Sequence, residues 1–242
     1  MAAPNYSIKE SLRAKCVRIK VSLYDARVVV VVPCGFDREQ IPDIVREKQS
    51  WIERVQKQVN EQRALAGTSD ATCLPEEIHL RALGETWGVE CEPDGRGHVR
   101  LREQPGQRLH LQGDLDDHAL CRHALQRWVR HKARVHLVPW LEEMSQEQQL
   151  PVTRTAVRAQ RSRWGSCSRQ RTISINQKLL FIPPPLVRYV FLHELCHTLH
   201  FDHSPEFWEA MGAREPRCRQ LDGELNTAWR YVPVWMGVGS RE

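Results

Sequence analysis

Several features are missing from this 242-residue chain, and each absence excludes a class of protein. The longest apolar run, Val28 to Val32, is far too short to cross a bilayer. Residues 1–5 lack the basic start and apolar core of a secretory signal. The eight cysteines include no CxxC pair, and scattered thiols are typical of a reducing compartment. We therefore expect an intracellular protein, cytoplasmic or nuclear, without a disulfide framework.

Acidic residues are also missing from the whole stretch between Gln148 and His193. The same stretch contains eight basic residues: Arg154, Arg158, Arg161, Arg163, Arg169, Arg171, Lys178 and Arg188. Eight positive charges without an acid would create a positive field around any cleft they flank, although a solvated basic surface is the alternative interpretation. Since arginine binds phosphate with a planar fork, we expect a phosphate-bearing substrate or nucleic acid among the partners.

The most informative stretch that is present reads His193-Glu194-Leu195-Cys196-His197. On a helix, side chains at positions i and i+4 lie one above the other, so two histidines at this spacing can bind one metal ion. Glu194 would then lie beside the ion, where it can take a proton from a zinc-bound water. Cys196 points away from the ligand face, and we interpret it as a core residue. The motif predicts a site for one Zn²⁺ ion per chain.

The third ligand is less directly specified by the sequence. His203 is our preferred candidate, because Ser204 and the following Pro205 are typical of the start of a new helix. The motif helix should therefore end near His200, and the chain should fold back at His203. His200 itself would lie too far along a continuous helix to complete a tetrahedral site. Three alternatives remain open: His200, Glu215 and Glu224.

The first half of the chain predicts strands and two long helices. Residues 15–33 alternate and then become apolar, as in a β-hairpin. A helix is predicted from Asp37 to Gln62, with its apolar side formed by Ile41, Ile44, Val45, Trp51, Ile52 and Val55. After a polar break at residues 66–70, residues 78–111 predict a second small meander. A long amphipathic helix is predicted from Asp116 to Met144, with Leu120, Leu125, Trp128, Val129, Leu137 and Leu141 on its apolar side.

The second half predicts the catalytic core. Strands are expected near residues 153–160 and 172–177, joined by a turn at residues 163–167, and the motif helix and further helices follow. The chain is thus predicted to have an α+β fold, with a β-rich N-terminal module at residues 8–112 and a zincin-like C-terminal core at residues 113–236.

Several motifs together resemble a known family. They are Arg163-Trp164-Gly165-Ser166-Cys167-Ser168, Ile173-Ser174-Ile175-Asn176, Pro183-Pro184, Tyr189-Val190, the His193–His197 motif and His203-Ser204-Pro205-Glu206-Phe207-Trp208. This series resembles the YgjP-like metallopeptidase domain, a relative of the WLM and SprT-like zinc metalloproteases. The resemblance is specific over residues 150–230 and looser over residues 8–65. It implies that His193, His197 and His203 bind the metal and that Glu194 is the catalytic base.

One position departs from the family pattern, since Asp202 stands where asparagine is usual before the third histidine. Asp202 could orient a ligand imidazole. We also identify five candidate substrate contacts: Arg161, Arg163, Trp164, Ser166 and Asn176. The backbone or side chains of residues 164–168, or a nearby arginine, could stabilise an oxyanion.

Three functions of different class are compatible with these features. The preferred one is a zinc metallopeptidase that uses a Glu-activated zinc-bound water. The alternatives are a zinc-dependent hydrolase of nucleotide phosphoanhydrides with an arginine-rich cleft, and a zinc-stabilised binding module for nucleic acid or protein without turnover.

Overall fold

A computed structural model describes residues 5–12, 14–21, 26–65, 74–95 and 97–237. Contacts divide the chain into two compact units, residues 1–68 and residues 69–242. This division differs from the boundary predicted at 112/113, because strands up to residue 113 belong to the second unit. Both units combine strands with helices, and the predicted α+β class is confirmed.

The first unit has a three-stranded sheet of β1 (Tyr6–Ser11), β2 (Arg18–Val21) and β3 (Val28–Pro33), in the order β1-β3-β2. Strands β2 and β3 are antiparallel, which confirms the predicted pair, although part of their connection (residues 22–25) lies outside the described residues. Alternate valines of β3 are buried against Ile41, Val45 and Ile52. The polar break predicted at residues 66–70 also lies outside the described residues.

The helix predicted from Asp37 to Gln62 is divided in the structure. Asp37 caps a short 3-10 turn, which is followed by α1 (Ile41–Glu47) and α2 (Gln49–Leu65). Trp51 is 42% exposed, so its predicted place on the buried side is wrong. Ile52 of α2 belongs to the same core cluster as Ile41 and Val45 of α1. Trp51, the residue before Ile52, is rotated from it by about 100° around α2.

The second unit contains a four-stranded sheet of β4 (Glu77–Leu80), β5 (Glu85–Pro93), β6 (Val99–Gln104) and β7 (Arg108–Gly113). Its order is β4-β5-β7-β6, with β5 and β7 parallel. The predicted meander is therefore wrong, because β7 is inserted between β5 and β6. Hydrophobic periodicity identifies strands but carries no information on their order in a sheet.

The predicted long helix is present as α3 (His118–Glu147), and the side chain of Asp117 caps its first turn. Leu125, Trp128, Val129, Leu137 and Leu141 are buried as predicted, whereas Leu120 is 41% exposed in that first turn. Helix α3 is fixed to the four-stranded sheet: the indole of Trp128 donates to Glu103 Oε1 over 2.7 Å.

A second sheet positions the motif helix. It consists of β8 (Arg154–Arg158), β9 (Gly165–Cys167) and β10 (Thr172–Asn176), in the order β8-β10-β9. Residues 165–167 were predicted as part of a turn but form the edge strand β9, antiparallel to β10. Helices α4 (Pro184–Cys196), α5 (Pro205–Arg214) and α6 (Cys218–Leu225) follow.

Candidate metal centre

Helix α4 holds the first two histidines on one face. Its start is rich in proline, which suits a first helical turn because the N–H groups there need no partner within the helix. Nine of its residues are buried. His193 and His197 lie one turn apart, and their Nε2 atoms are 3.2 Å from each other. The α-helix ends at Cys196, earlier than the predicted end near His200, and a turn continues through Leu199.

The third histidine comes back to the other two through the predicted helix start. Ser204 is the N-cap of α5, with its hydroxyl accepting from the Phe207 N–H, and Pro205 is the first helical residue. This start places His203 Nε2 at 3.0 Å from His193 Nε2. The candidate ligand atoms of His193, His197 and His203 all lie within 4.8 Å of one another.

The three imidazoles fit a tetrahedral zinc ion. Zn–N bonds of 2.0–2.1 Å at tetrahedral angles separate the nitrogens by about 3.3 Å, close to the two short Nε2–Nε2 distances. His197 Nδ1 donates to the backbone carbonyl of His200 over 2.9 Å, so its Nε2 carries the lone pair. Burial and the two neighbouring histidines lower the pKa of His193 to about 3, which keeps it neutral and able to bind a cation.

Phe207 packs against all three imidazoles and was not identified from the sequence. Its ring stacks on His197 at 4.6 Å and meets His193 and His203 edge-on at 5.0 and 4.9 Å. The side chain is fully buried, so it restricts the positions of the rings. Its place in the third position of α5, on the turn beside His203, was the signal available in the sequence.

Glu194 is buried beside these histidines, with 6% of its surface exposed. Its Oε2 atom has no hydrogen-bond partner among the described residues. Burial raises the pKa of Glu194 to about 8, and the positive charge of Arg163 opposes this shift. A buried carboxyl group with an unsatisfied oxygen is costly for folding and is typical of a functional site.

The three alternative third ligands make hydrogen bonds of other kinds. His200 contributes its backbone carbonyl to His197, as described above. Glu215 Oε1 accepts from the Arg217 N–H, and Glu224 Oε1 accepts from Gln220. None of the three belongs to the histidine group. Asp202 Oδ1 accepts from the Ser204 N–H, so it supports the start of α5. Its negative charge also acts on His197, in the direction that raises the pKa of that imidazole.

Two of the predicted substrate contacts are interior residues. Asn176 is fully buried, and its amide donates to the carbonyls of Gln160 and Arg163 over 2.9 and 2.8 Å. Trp164 is 7% exposed and stacks on Trp229 at 4.0 Å. These residues hold the loop before β9, and the hydrogen bonds of Asn176 account for its buried amide without a substrate.

The side chains of strand β9, which include the candidate Ser166, alternate between the two faces of the sheet. Side chains alternate along a strand, so Gly165 and Cys167 face the side of the buried Ile173 and Ile175, whereas Ser166 faces the opposite side. A Cβ on Gly165 would meet Glu194, which identifies the inner face as the one beside the catalytic candidate. Ser166 therefore points away from Glu194, and its role as a substrate contact stays a prediction.

The basic stretch is mostly on the surface. Its seven arginines, including the predicted contacts Arg161 and Arg163, are exposed. Lys178 is an exception, because it is 2% exposed and donates to the Gln160 carbonyl over 3.1 Å. Burial lowers the pKa of Lys178 to about 8. Seven of the eight positive charges of this stretch thus lie on the surface.

Two further sequence predictions concern the segments that the structure describes. Cys196 is fully buried, which confirms it as a core residue. No helix there has the length and apolar character needed to cross a bilayer.

A family model described as "YgjP-like, metallopeptidase domain" matches residues 17–228, so it covers most of both units. The match confirms the resemblance found in the sequence. Neither a curated protein nor a solved structure matches the chain.

Proposed function

Because the chain belongs to the YgjP-like metallopeptidase domain family, we propose that it is a zinc-dependent peptidase in which Glu194 is the general base. In this proposal His193, His197 and His203 hold one zinc ion. The observation that carries the proposal is the convergence of three imidazoles beside a buried carboxyl group with an unpaired oxygen.

Zinc supplies a Lewis acid that polarises a carbonyl group and lowers the pKa of water. The Glu194 carboxylate takes a proton from the attacking water and returns it to the leaving amine. Beside a bound cation the ionised form of Glu194 is favoured, which opposes the effect of burial on its pKa. The Arg163 guanidinium acts in the same direction as the cation.

Strand β9 pairs with β10 on one side and with no other described strand, and this open edge supports a peptide substrate. Ser168 N–H donates to the Thr172 carbonyl and Asn176 N–H donates to the Trp164 carbonyl, so even-numbered residues of β9 bond to β10. The N–H and C=O groups of Gly165 and Cys167 consequently point away from β10. An extended peptide could pair with these groups as an added strand, and their N–H groups are candidate oxyanion donors.

The alternative substrate, a nucleotide phosphoanhydride, has weaker support. Arg154 and Arg158 share their side of the sheet with Ser174, opposite to the buried Val157 and the Glu194 side. These two arginines would therefore not reach a phosphate beside Glu194. Arg163 is the arginine whose charge acts on Glu194.

The outer face of this sheet supports a different use of the basic residues. Arg158, Ala159, Gln160 and Ser174 line a shallow pocket there. We propose nucleic acid as a second partner, bound through the phosphate backbone on this face rather than in the cleft. Oligonucleotide binding should weaken more in Arg154→Gln/Arg158→Gln than in Arg161→Gln/Arg163→Gln. Binding that does not change with salt concentration would contradict a phosphate contact.

Substrate panels test the main proposal. Zinc-loaded protein is incubated with denatured proteins and peptides, and separately with nucleoside triphosphates. Release of new amines that is lost in Glu194→Gln is the expected result. Release of phosphate or pyrophosphate with the same dependence would instead support the phosphoanhydride hydrolase. A zinc-loaded protein without turnover on either panel would favour the binding module.

A further inference from the structure

Gly165 occupies a position in β9 where backbone conformation does not require glycine. It lies in a regular strand opposite Ile175, and its φ angle is outside the left-handed range. Glycine in a strand costs stability, because it loses more conformational freedom on folding and offers no side chain for packing. The reason for glycine here must therefore be space.

The space is filled by the Glu194 side chain. A Cβ atom built on Gly165 would lie 2.6 Å from Oε1, 2.7 Å from Cγ and 2.9 Å from Cδ of Glu194. Real Cβ contacts are essentially never this short. By contrast, Gly88, Gly97, Gly212 and Gly223 have nothing within 4 Å of such an atom. The contact involves Cγ as well as the carboxylate, so a rotation of the carboxylate alone would not relieve it.

Neither partner can easily move away. Glu194 lies in the middle of the motif, between His193 and the fully buried Leu195 on α4. Strand β9 is held on the other side, because Trp164 stacks on Trp229 and its carbonyl accepts from the Asn176 N–H over 2.8 Å. A side chain at position 165 would thus displace the carboxyl group rather than the strand or the helix.

We infer that Gly165 is a positioning residue, whose missing side chain creates the slot that holds the Glu194 carboxyl group beside the histidine cluster. The role of Gly165 in turnover rests on the proposed function of Glu194. The slot itself does not, since it is a packing relation between two residues. The two statements can therefore be tested separately.

A double-mutant cycle tests the slot without substrate. Gly165→Ala, Glu194→Ala and the double variant are compared with wild type in chelator-treated full-length protein. Gly165→Ala should lower Tm by about 3–10 °C when Glu194 is present. In the Glu194→Ala background the same change should lower Tm by no more than about 1 °C, because the clashing atoms are gone. If Gly165→Ala alone does not fold, a double variant that does fold would equally show that the Glu194 side chain causes the destabilisation.

Gly88→Ala is the matched control, since it adds a methyl group to another strand where space is open. Its effect on Tm should be equal in both backgrounds. Zinc content should be unchanged in Gly165→Ala, and any turnover should lose kcat at least about tenfold with little change in KM. A Tm loss of equal size in both backgrounds, or no loss in either, would overturn the inference. Peptidase activity that persists in Glu194→Gln would overturn the proposed function and leave the slot intact.

Discussion

Glu194 and Lys178 are both charged residues buried in the second unit, but their surroundings differ. The Lys178 ammonium group donates to the Gln160 carbonyl and lies 5.8 Å from the centre of the Trp229 ring. Glu194 has an oxygen without a partner in the described part of the chain, and three imidazoles lie beside it. Burial brings the pKa of both groups to about 8. A shifted pKa alone therefore does not distinguish a candidate catalytic group, whereas an unsatisfied buried oxygen on the residue next to a candidate metal ligand does.

The largest effect that this comparison predicts is on turnover. Glu194→Gln keeps the shape of the side chain but cannot accept a proton, so kcat should fall by about 10²–10⁴-fold. Zinc content, measured by mass spectrometry, should stay at the wild-type level. Glu209→Gln, which changes an exposed carboxylate on α5, is the control and should keep full activity. Full activity in Glu194→Gln would contradict a catalytic role for Glu194 and leave it, like Lys178, a buried charged residue.

Lys178→Met should change stability in a pH-dependent way and leave the metal site intact. Because the pKa of Lys178 is lowered in the folded protein, the unfolded chain binds more protons between about pH 8 and pH 10.5. Stability of wild type relative to the variant should therefore rise across this window, by at most about 3 kcal/mol, and be constant below it. Denaturant unfolding at several pH values measures the difference.

Lys178→Met is the reference for wild type in that measurement. Buried thiols such as Cys196, whose pKa is raised to about 11, titrate in both proteins, so their effect on stability cancels in the difference. A difference that falls with increasing pH would contradict the burial of a charged amine at position 178. Loss of zinc from Lys178→Met would show that this lysine also supports the metal site.

The smallest predicted effect concerns the charge that acts on Glu194. Arg163 favours the ionised carboxylate, so Arg163→Gln should raise the pKa of Glu194 and move the acidic limb of the pH–rate profile upwards. The shift should be about 0.5 pH unit or less and should disappear at high salt, because Arg163 is exposed. Arg161→Gln is the matched control. An equal shift in both variants would indicate a general surface potential rather than a specific partner for Glu194.

The histidine cluster could be predicted from local sequence rules, whereas its surroundings could not. The i, i+4 spacing of His193 and His197 and the capping pattern at Ser204 are short-range features, and the structure has His203 close to the other two histidines as they predict. The role of Asn176 depends on where the carbonyls of Gln160 and Arg163 lie in space, and no spacing rule contains that information.

The order of the strands could not be predicted for the same reason. The pattern of residues 78–111 identified strands, but the insertion of β7 beside β5 is decided by packing between distant residues. Gly165 is the sharpest case, since its neighbour Glu194 is 29 positions away and only the structure brings the two together. Alternation along β9 then determined that Ser166 faces away from the site.

Zinc content is the measurement that decides whether His193, His197 and His203 together hold the metal ion. Wild type, His203→Ala and His200→Ala are expressed with added zinc, purified, and analysed by mass spectrometry for metal per chain. His200 is the matched control, because its backbone carbonyl, and not its side chain, contacts the cluster. We expect about one zinc ion in wild type and in His200→Ala, and loss of zinc in His203→Ala. Full zinc in His203→Ala, or no metal in wild type, would contradict it.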